Sequence, residues 1–310
     1  MSTTQKGQAM GRPSALQAIS LLITPGLLLS GMLLTLGQSW PLYLLGQLAG
    51  AVFFLQAFIL LHEFGHRSYF PNRWANLVGG YCASFLVFVP LPNWAAIHEL
   101  HHRWTGYRDK DPTTEGTFAD ALEPGQRRLI NFCWRFWIPL FTLGYRLGIY
   151  WNLGKLKRHL SPHKFRICLA HMLLYLAAYA ALLALFPAVF LALLPALLIS
   201  FSMSDIMTLS QHSHVHMPVA AGKKVKPLAY AEQVQYSRTL LFPRWIARFI
   251  LLNFNYHEAH HAHPGVPCYR LSHDAFAGGN AYPAWAWIKR VKSMPGVDFI
   301  FRTDLNREGF

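Results

Sequence analysis

Two long stretches of this 310-residue chain contain no Asp, Glu, Lys or Arg, one from Pro13 to His62 and one from Ile167 to Ser204. Charge-free runs of that length point to helices in a membrane, because only helices and closed barrels satisfy their backbone hydrogen bonds inside hydrocarbon. A helix crosses the hydrocarbon core in about 20 apolar residues, so each stretch has room for two spans. Prolines interrupt both runs, between Gly37 and Pro41 and at Phe186-Pro187, where a break in the helix is expected. The chain is therefore read as an all-α integral membrane protein with four transmembrane helices. They form two hairpins, at about 14–61 and about 167–206.

The charge lies outside those stretches. Fourteen Lys or Arg residues fall between Arg67 and Arg166, and twelve between Lys223 and Arg307. Basic residues accumulate on the cytoplasmic side, which places both termini there, with a cytosolic cap formed by 62–166 and 207–310. Only 14% of residues are charged, low against the roughly 25% of soluble domains. The net charge of +14 follows from this topology and suits anionic headgroups; no nucleic-acid motif is present, and no nucleic-acid partner is expected. Lys155, Lys157, Arg158, Lys164 and Arg166 directly precede the second hairpin as a headgroup-facing cluster. No linker, repeat or low-complexity tract divides the chain, so 1–310 is read as one domain. The first apolar run is followed by a second, the pattern of a retained hairpin and not of a cleavable signal.

Two further segments are amphipathic. Leu129 to Trp151 mixes eight aromatic residues with Arg135 and Arg146, and Leu240 to Tyr256 places Arg244 and Arg248 among Leu, Ile, Phe and Trp. Arginine is costly inside a span, so both are read as interfacial helices with aromatics down and guanidinium groups up. Cys82, Cys133, Cys168 and Cys268 show no CxxC spacing and are read as buried thiols without assigned chemistry.

Histidines carry the chemistry. HEFGH provides His62 and His66, HELHH provides His98, His101 and His102, and HEAHH provides His257, His260 and His261. Residues at i, i+3 and i+4 share a helix face, so each box aims its imidazoles in one direction. The first box ends the first hairpin and the third follows the second, so all three can converge on one membrane face. Each box also matches HExxH, the zinc-protease signature. Three features oppose an intramembrane zinc protease. One catalytic zinc needs only three protein ligands, His101 and His260 have no role in HExxH, and no later aspartate motif supplies a third ligand. Eight or more imidazoles suit two metal ions with open positions, and a non-haem di-iron centre is the economical reading. A soluble ferritin-like centre would draw on Glu and ExxH motifs from a four-helix bundle, and this chain does not show that bundle pattern. A non-enzymatic membrane metal-binding protein is the alternative from another class, but the apolar stretches offer only His171 as an ionisable imidazole and no carboxylate.

HEFGH at 62–66, HELHHRWTGYRDKDP at 98–112 and NYHEAHHAHPGVPCYRL at 255–271 together resemble the three histidine boxes of the membrane fatty acid desaturase and hydroxylase superfamily. That resemblance implies an oxygen-dependent enzyme with two iron ions, and an acyl chain threaded beneath them in a tunnel. Activated oxygen would remove hydrogen from an unactivated methylene, and loss of a second hydrogen would give a double bond. The box histidines His62, His66, His98, His101, His102, His257, His260 and His261 would be ligands. A ninth would come from just after the second hairpin, with His212 first, His214 second and His216 third. The substrate would be an acyl-lipid, acyl-CoA or acyl-ACP, and electrons would come from a separate ferredoxin- or cytochrome-type donor. A lipid hydroxylase or carotenoid ketolase of the same superfamily is the alternative. The expected location is a bacterial inner membrane.

Glu63, Glu99 and Glu258 each follow the first histidine of a box, either to orient an imidazole or to face solvent. His159, His163, His263 and His273 are read as exposed, and His171 as a hydrogen-bonded core histidine. Asp205, at the end of the second hairpin, is left unassigned between orienting a ligand and binding substrate.

Overall fold

The computed structural model describes residues 15–37, 39–118, 122–272 and 279–301, and both termini and His273 lie outside them. Its elements are mostly helical. Helix α1 (Ala15–Thr35) turns back into α2 (Trp40–Gly65), and α8 (Pro162–Leu185) into α9 (Pro187–His212), so the apolar stretches break at Pro41 and Pro187, whereas Pro25 and Pro195 stay inside helices. Pro41 and Pro187 occupy the first turns of their helices, where the missing N–H has no partner to lose. Helices α2, α8 and α9 are long and apolar enough to cross a membrane.

Helix α2 is the central element, packed against α1 and α9. Small residues allow the close approach: a Cβ on Gly46 would lie 2.6 Å from the Thr35 backbone nitrogen, and one on Gly50 would lie 2.9 Å from the Ala196 methyl. Neutral amides bind the helices together. The Gln47 carboxamide accepts from Ala196 N at 2.8 Å and donates to the Ala192 carbonyl at 3.1 Å. Gln56 donates to the Phe249 carbonyl at 2.7 Å and pairs with Thr24 at 2.7 Å. These polar groups are fully buried and satisfied, as an apolar setting requires.

A bent helix pair lies between the first two boxes, where the sequence reading placed only cap. Helices α3 (Arg73–Leu86) and α4 (Leu91–Trp104) meet at 102°, and together they are long and apolar enough for one broken span. Asn72 caps α3 by accepting from the Trp74 and Ala75 backbone. Helix α4 carries the second box.

Both amphipathic segments differ from their expected form. Leu129 to Trp151 divides into α5 (Pro124–Arg135), α6 (Leu140–Tyr145) and a π-turn at Arg146–Tyr150, with Pro139 standing at the break before α6. Arg146 does not face headgroups: it is buried over the Phe201 ring at 4.3 Å and donates to the Val87 carbonyl. Leu240 to Tyr256 is likewise no continuous helix. It holds the end of a short strand and a π-turn at Ile246–Ile250, with Arg244 and Arg248 exposed. The strand β1 (Thr239–Leu241) pairs in parallel with β2 (Ala281–Pro283), a small exception to the all-α reading. Helices α7 (Leu153–His159), α10 (His257–Ala262), α11 (Ala284–Ser293) and α12 (Gly296–Phe301) complete the chain.

The basic cluster before α8 is partly consumed inside the protein. Lys155 pairs with Glu115 at 2.9 Å, Lys164 with Glu99 at 2.9 Å, and Lys157 and Arg166 remain exposed. Cys133, Cys168 and Cys268 are buried as expected; Cys82 is exposed.

Candidate metal centre

Nine histidines converge in two adjoining groups. His62, His66, His98, His102 and His260 form one, and His101, His212, His257 and His261 the other, with the candidate ligand nitrogens of each group within 4.8 Å of one another. Helical geometry explains the division. Within each box, the i, i+4 pair serves one group: His62 with His66, His98 with His102, and His257 with His261. His101 and His260, at i+3 in their boxes, swing to the other group. The two histidines without a role in HExxH therefore cross-link the two sites. His212, at the end of α9, joins the four-residue group, whereas His214 is buried beside Phe299, His216 is exposed, and His263 stands outside both groups.

The ring nitrogens meet at short range. His66 Nε2 lies 2.8 Å from His98 Nε2, His102 Nε2 lies 3.0 Å from His260 Nε2, and His257 Nε2 lies 3.0 Å from His212 Nε2. Two imidazoles bound at right angles to one ion at about 2.1 Å would show the same separation of about 3 Å. His62 Nε2 is buried without a hydrogen-bond partner among the described residues, while its Nδ1 is held by Glu63 at 3.0 Å. A lone pair aimed inward with its opposite nitrogen anchored is the form a metal ligand takes. The donor set therefore fits metal ions in both groups, and nitrogen-rich sites of this kind suit iron.

A ring of supporting contacts fixes the imidazoles. His101 Nδ1 pairs with Asp111 at 2.7 Å, and Thr113 donates both N–H and O–H to the other Asp111 oxygen at 2.8 Å. His212 Nδ1 donates to the Tyr236 carbonyl at 2.8 Å. Gln233 touches both groups, with Oε1 3.0 Å from His261 Nδ1 and Nε2 2.7 Å from the His102 carbonyl. Trp94 stacks on His98 at 4.3 Å, and a Cβ on Gly65 would overlap its ring, so the glycine of HEFGH leaves room for this indole. Sequence reasoning gave none of these supporting residues a role. Asp111 had a visible signal in the Asp-Lys-Asp-Pro that follows the second box; Gln233, far from any box, had none.

The three box glutamates have three fates. Glu63 is buried between His62 and the backbone N–H of Cys268, which donates at 2.7 Å. Glu258 is buried and accepts from Asn280 N at 3.1 Å, and Glu99 is solvent-facing against Lys164. Outside the centre, His159 pairs with Glu115 at 3.1 Å, His163 is exposed, and His171 bonds Tyr81 at 3.0 Å.

Electrostatics favour ligation. Burial, reinforced by neighbouring imidazoles, holds His257, His260 and His261 well below the ordinary histidine value and lowers His66 to about 3. These rings are neutral near pH 7, and neutral imidazole is the ligating form. Burial works to raise the Asp111 carboxyl, but His101 and Thr113 outweigh it and keep Asp111 ionised below its usual range.

A chamber bounded by His62, His98, His101, His212 and His257 opens beside the two groups. It shares Thr113, Thr117, Phe141, Tyr145 and Ile300 with a mostly apolar cavity of about 380 Å³. Asp205 lines that cavity and accepts from Thr142 N at 2.7 Å, away from the imidazoles.

The sequence profile for fatty acid desaturases matches residues 38–275, most of the chain and all three boxes. The chain belongs to the fatty acid desaturase family. Curated relatives of this desaturase-family chain include the sn-1 oleoyl-lipid 12-desaturases of Picosynechococcus and Synechocystis. Each is 25% identical, over 69% of this chain and 62% of its own length. The chloroplastic sn-2 acyl-lipid omega-3 desaturase (ferredoxin) of Helianthus annuus is 33% identical over 40% of this chain and 27% of its own length. The chain thus spans less than two thirds of the length of these relatives. Helices α2, α8 and α9, long and apolar enough to cross a membrane, accord with that membership.

Proposed function

We propose that this protein is an oxygen-dependent acyl-lipid desaturase that inserts a double bond into an acyl chain. The observation that carries this reading is the division of nine imidazoles into groups of five and four beside an apolar cavity. His62, His66, His98, His102 and His260 would hold one iron ion, and His101, His212, His257 and His261 the other. Bound there, the irons would supply oxygen activation and removal of two hydrogens from adjacent methylenes. Those hydrogens, with two electrons and two protons, reduce O2 to two waters. Asp111, Glu63, Gln233 and the Tyr236 carbonyl hold the ligands in the tautomer that keeps Nε2 free. The apolar cavity takes the acyl chain and admits it to the chamber past Tyr145 and Phe141, and its size falls in the roughly 300–1,000 Å³ range of small-molecule sites.

Four spans, with the bent pair α3–α4 and the box-bearing segments on the cytoplasmic side of a bacterial inner membrane, accord with the distribution of basic residues. The electrons come from a separate donor of ferredoxin or cytochrome type, the two kinds for which relatives are named. Those relatives are named desaturases, which favours double-bond insertion over hydroxylation. The test is gas chromatography with mass spectrometry on lipids from cells expressing the chain or its His101→Ala variant. A new unsaturated acyl species, lighter by two hydrogens and absent from the variant, is expected. An acyl species heavier by one oxygen would replace this reading with a hydroxylase.

A further inference from the structure

Electrons must reach imidazoles that are largely buried, and the segment after α9 offers a route. Between His212 and Arg238 the chain runs as a strap across the end of α4. Arg108 N donates to the Pro218 carbonyl at 3.0 Å, and Asp109 accepts from Ala220 N at 2.8 Å and Ala221 N at 3.0 Å. Gln233 and the Tyr236 carbonyl then grip His261, His102 and His212 from inside the strap. Its outer side is basic: Lys223, Lys224 and Lys226 are exposed, as is Arg103 on the adjoining end of α4. The nearby carboxylates of Asp109 and Glu232 are turned to backbone N–H groups, Glu232 accepting from Ala229 N at 2.7 Å.

One aromatic ring links this surface to the centre. Tyr230 is 45% exposed, and its ring centre lies 6.4 Å from that of His102. The other aromatic rings against the nine histidines, Trp94 and Phe254, are buried. Among the described residues, Tyr230 is the exposed ring in contact with the metal-binding groups. Electron tunnelling falls steeply with distance, and a donor seated here is separated from His102 by a single ring.

We propose that the strap at 223–236 is the docking surface for a small acidic one-electron donor protein, seated on Lys223, Lys224, Lys226 and Arg103 with its redox group over Tyr230. This rests on the desaturase reading for the need of a donor. Each docked donor is oxidised by one electron, which passes to the metal groups through the His102 side, and two dockings supply the two electrons of a turnover. Complementary charge raises encounter rate and sets orientation, and it is screened by salt.

The experiment measures binding of a plant-type [2Fe–2S] ferredoxin to the full-length, metal-free chain in nanodiscs of neutral lipid, at low and high ionic strength. Wild type should bind with an affinity that drops as salt rises. The combined Lys223→Glu, Lys224→Glu and Lys226→Glu variant should bind at least about tenfold more weakly at low salt. The Lys157→Glu, Arg166→Glu pair, on the other basic cluster, should bind like wild type. On the iron-loaded protein, Tyr230→Ser should slow ferredoxin-driven reduction more than reduction by dithionite. Equal donor affinity in wild type and the triple variant overturns the proposal. So does a triple variant that loses only binding to anionic vesicles, which would make the strap a headgroup contact. Failure of the desaturase reading shows separately, as absence of product with either reductant.

Discussion

At the scale of single residues, the centre depends on groups that touch an imidazole from behind. Asp111 is the clearest, a buried carboxylate 2.7 Å from His101 Nδ1 and held in place by Thr113. Loss of such a partner costs about 10–100-fold in metal affinity. If each group holds one iron, as proposed, Asp111→Asn is expected to lose iron from the four-histidine group first, falling from about two irons per chain toward one after dialysis against a weak chelator. Retention of both irons under that challenge would show that His101 needs no carboxylate. His101 itself was legible in the sequence from its spacing in HELHH. Its partner was visible only as an acidic residue ten positions on, because nothing in the intervening turn sequence states that it folds back.

At the scale of elements, the strap at 213–238 is the part that patterning did not reveal. It is mostly irregular, with a short 3₁₀ turn at Tyr230–Tyr236, so no helical or strand period marks it. Its function in the fold is carried by Gln233, whose amide bonds His261 and the carbonyl of His102 at once. Gln233→Leu keeps the volume and removes both contacts. The expected result is weaker iron retention in both groups by about tenfold, with helix content unchanged, read by chelator competition alongside circular dichroism. Unchanged retention would reduce Gln233 to a packing residue. The amphipathic segments teach the same lesson. Leu129 to Trp151 has the composition of an interfacial helix, yet it breaks before Leu140, and Arg146 turns inward onto Phe201. Composition reports the membrane surface; it does not report which arginine finds a buried carbonyl.

At the scale of the whole molecule, convergence of the histidines sets a pH dependence. His66, His257, His260 and His261 titrate below the ordinary value of 6.5 when folded. The unfolded chain therefore binds more protons than the folded one once pH falls through about 6.5, and acidification favours unfolding. Metal-free protein should melt at steadily lower temperature from pH 7 to pH 5, with little change from pH 7 to pH 8. Asp111, depressed below its usual value, stabilises the fold above about pH 4 and adds a further loss only as its carboxyl protonates. A melting temperature flat between pH 7 and pH 5 would show that water reaches the imidazoles freely.

The sequence by itself determined the two apolar stretches and their proline breaks, the three boxes, and the family that these spell. Those features are local: hydrocarbon selects against charge residue by residue, and a helix places i, i+3 and i+4 together whatever surrounds it. Only the tertiary structure decided which imidazoles share a site. His101 and His260 leave their own boxes' i, i+4 pairs and join groups built from other segments of the chain. Choosing His212 over His214, clamping the strap through Gln233 and stacking Trp94 on His98 are likewise contacts between segments distant in sequence. No spacing encodes them, because each depends on how the helices pack.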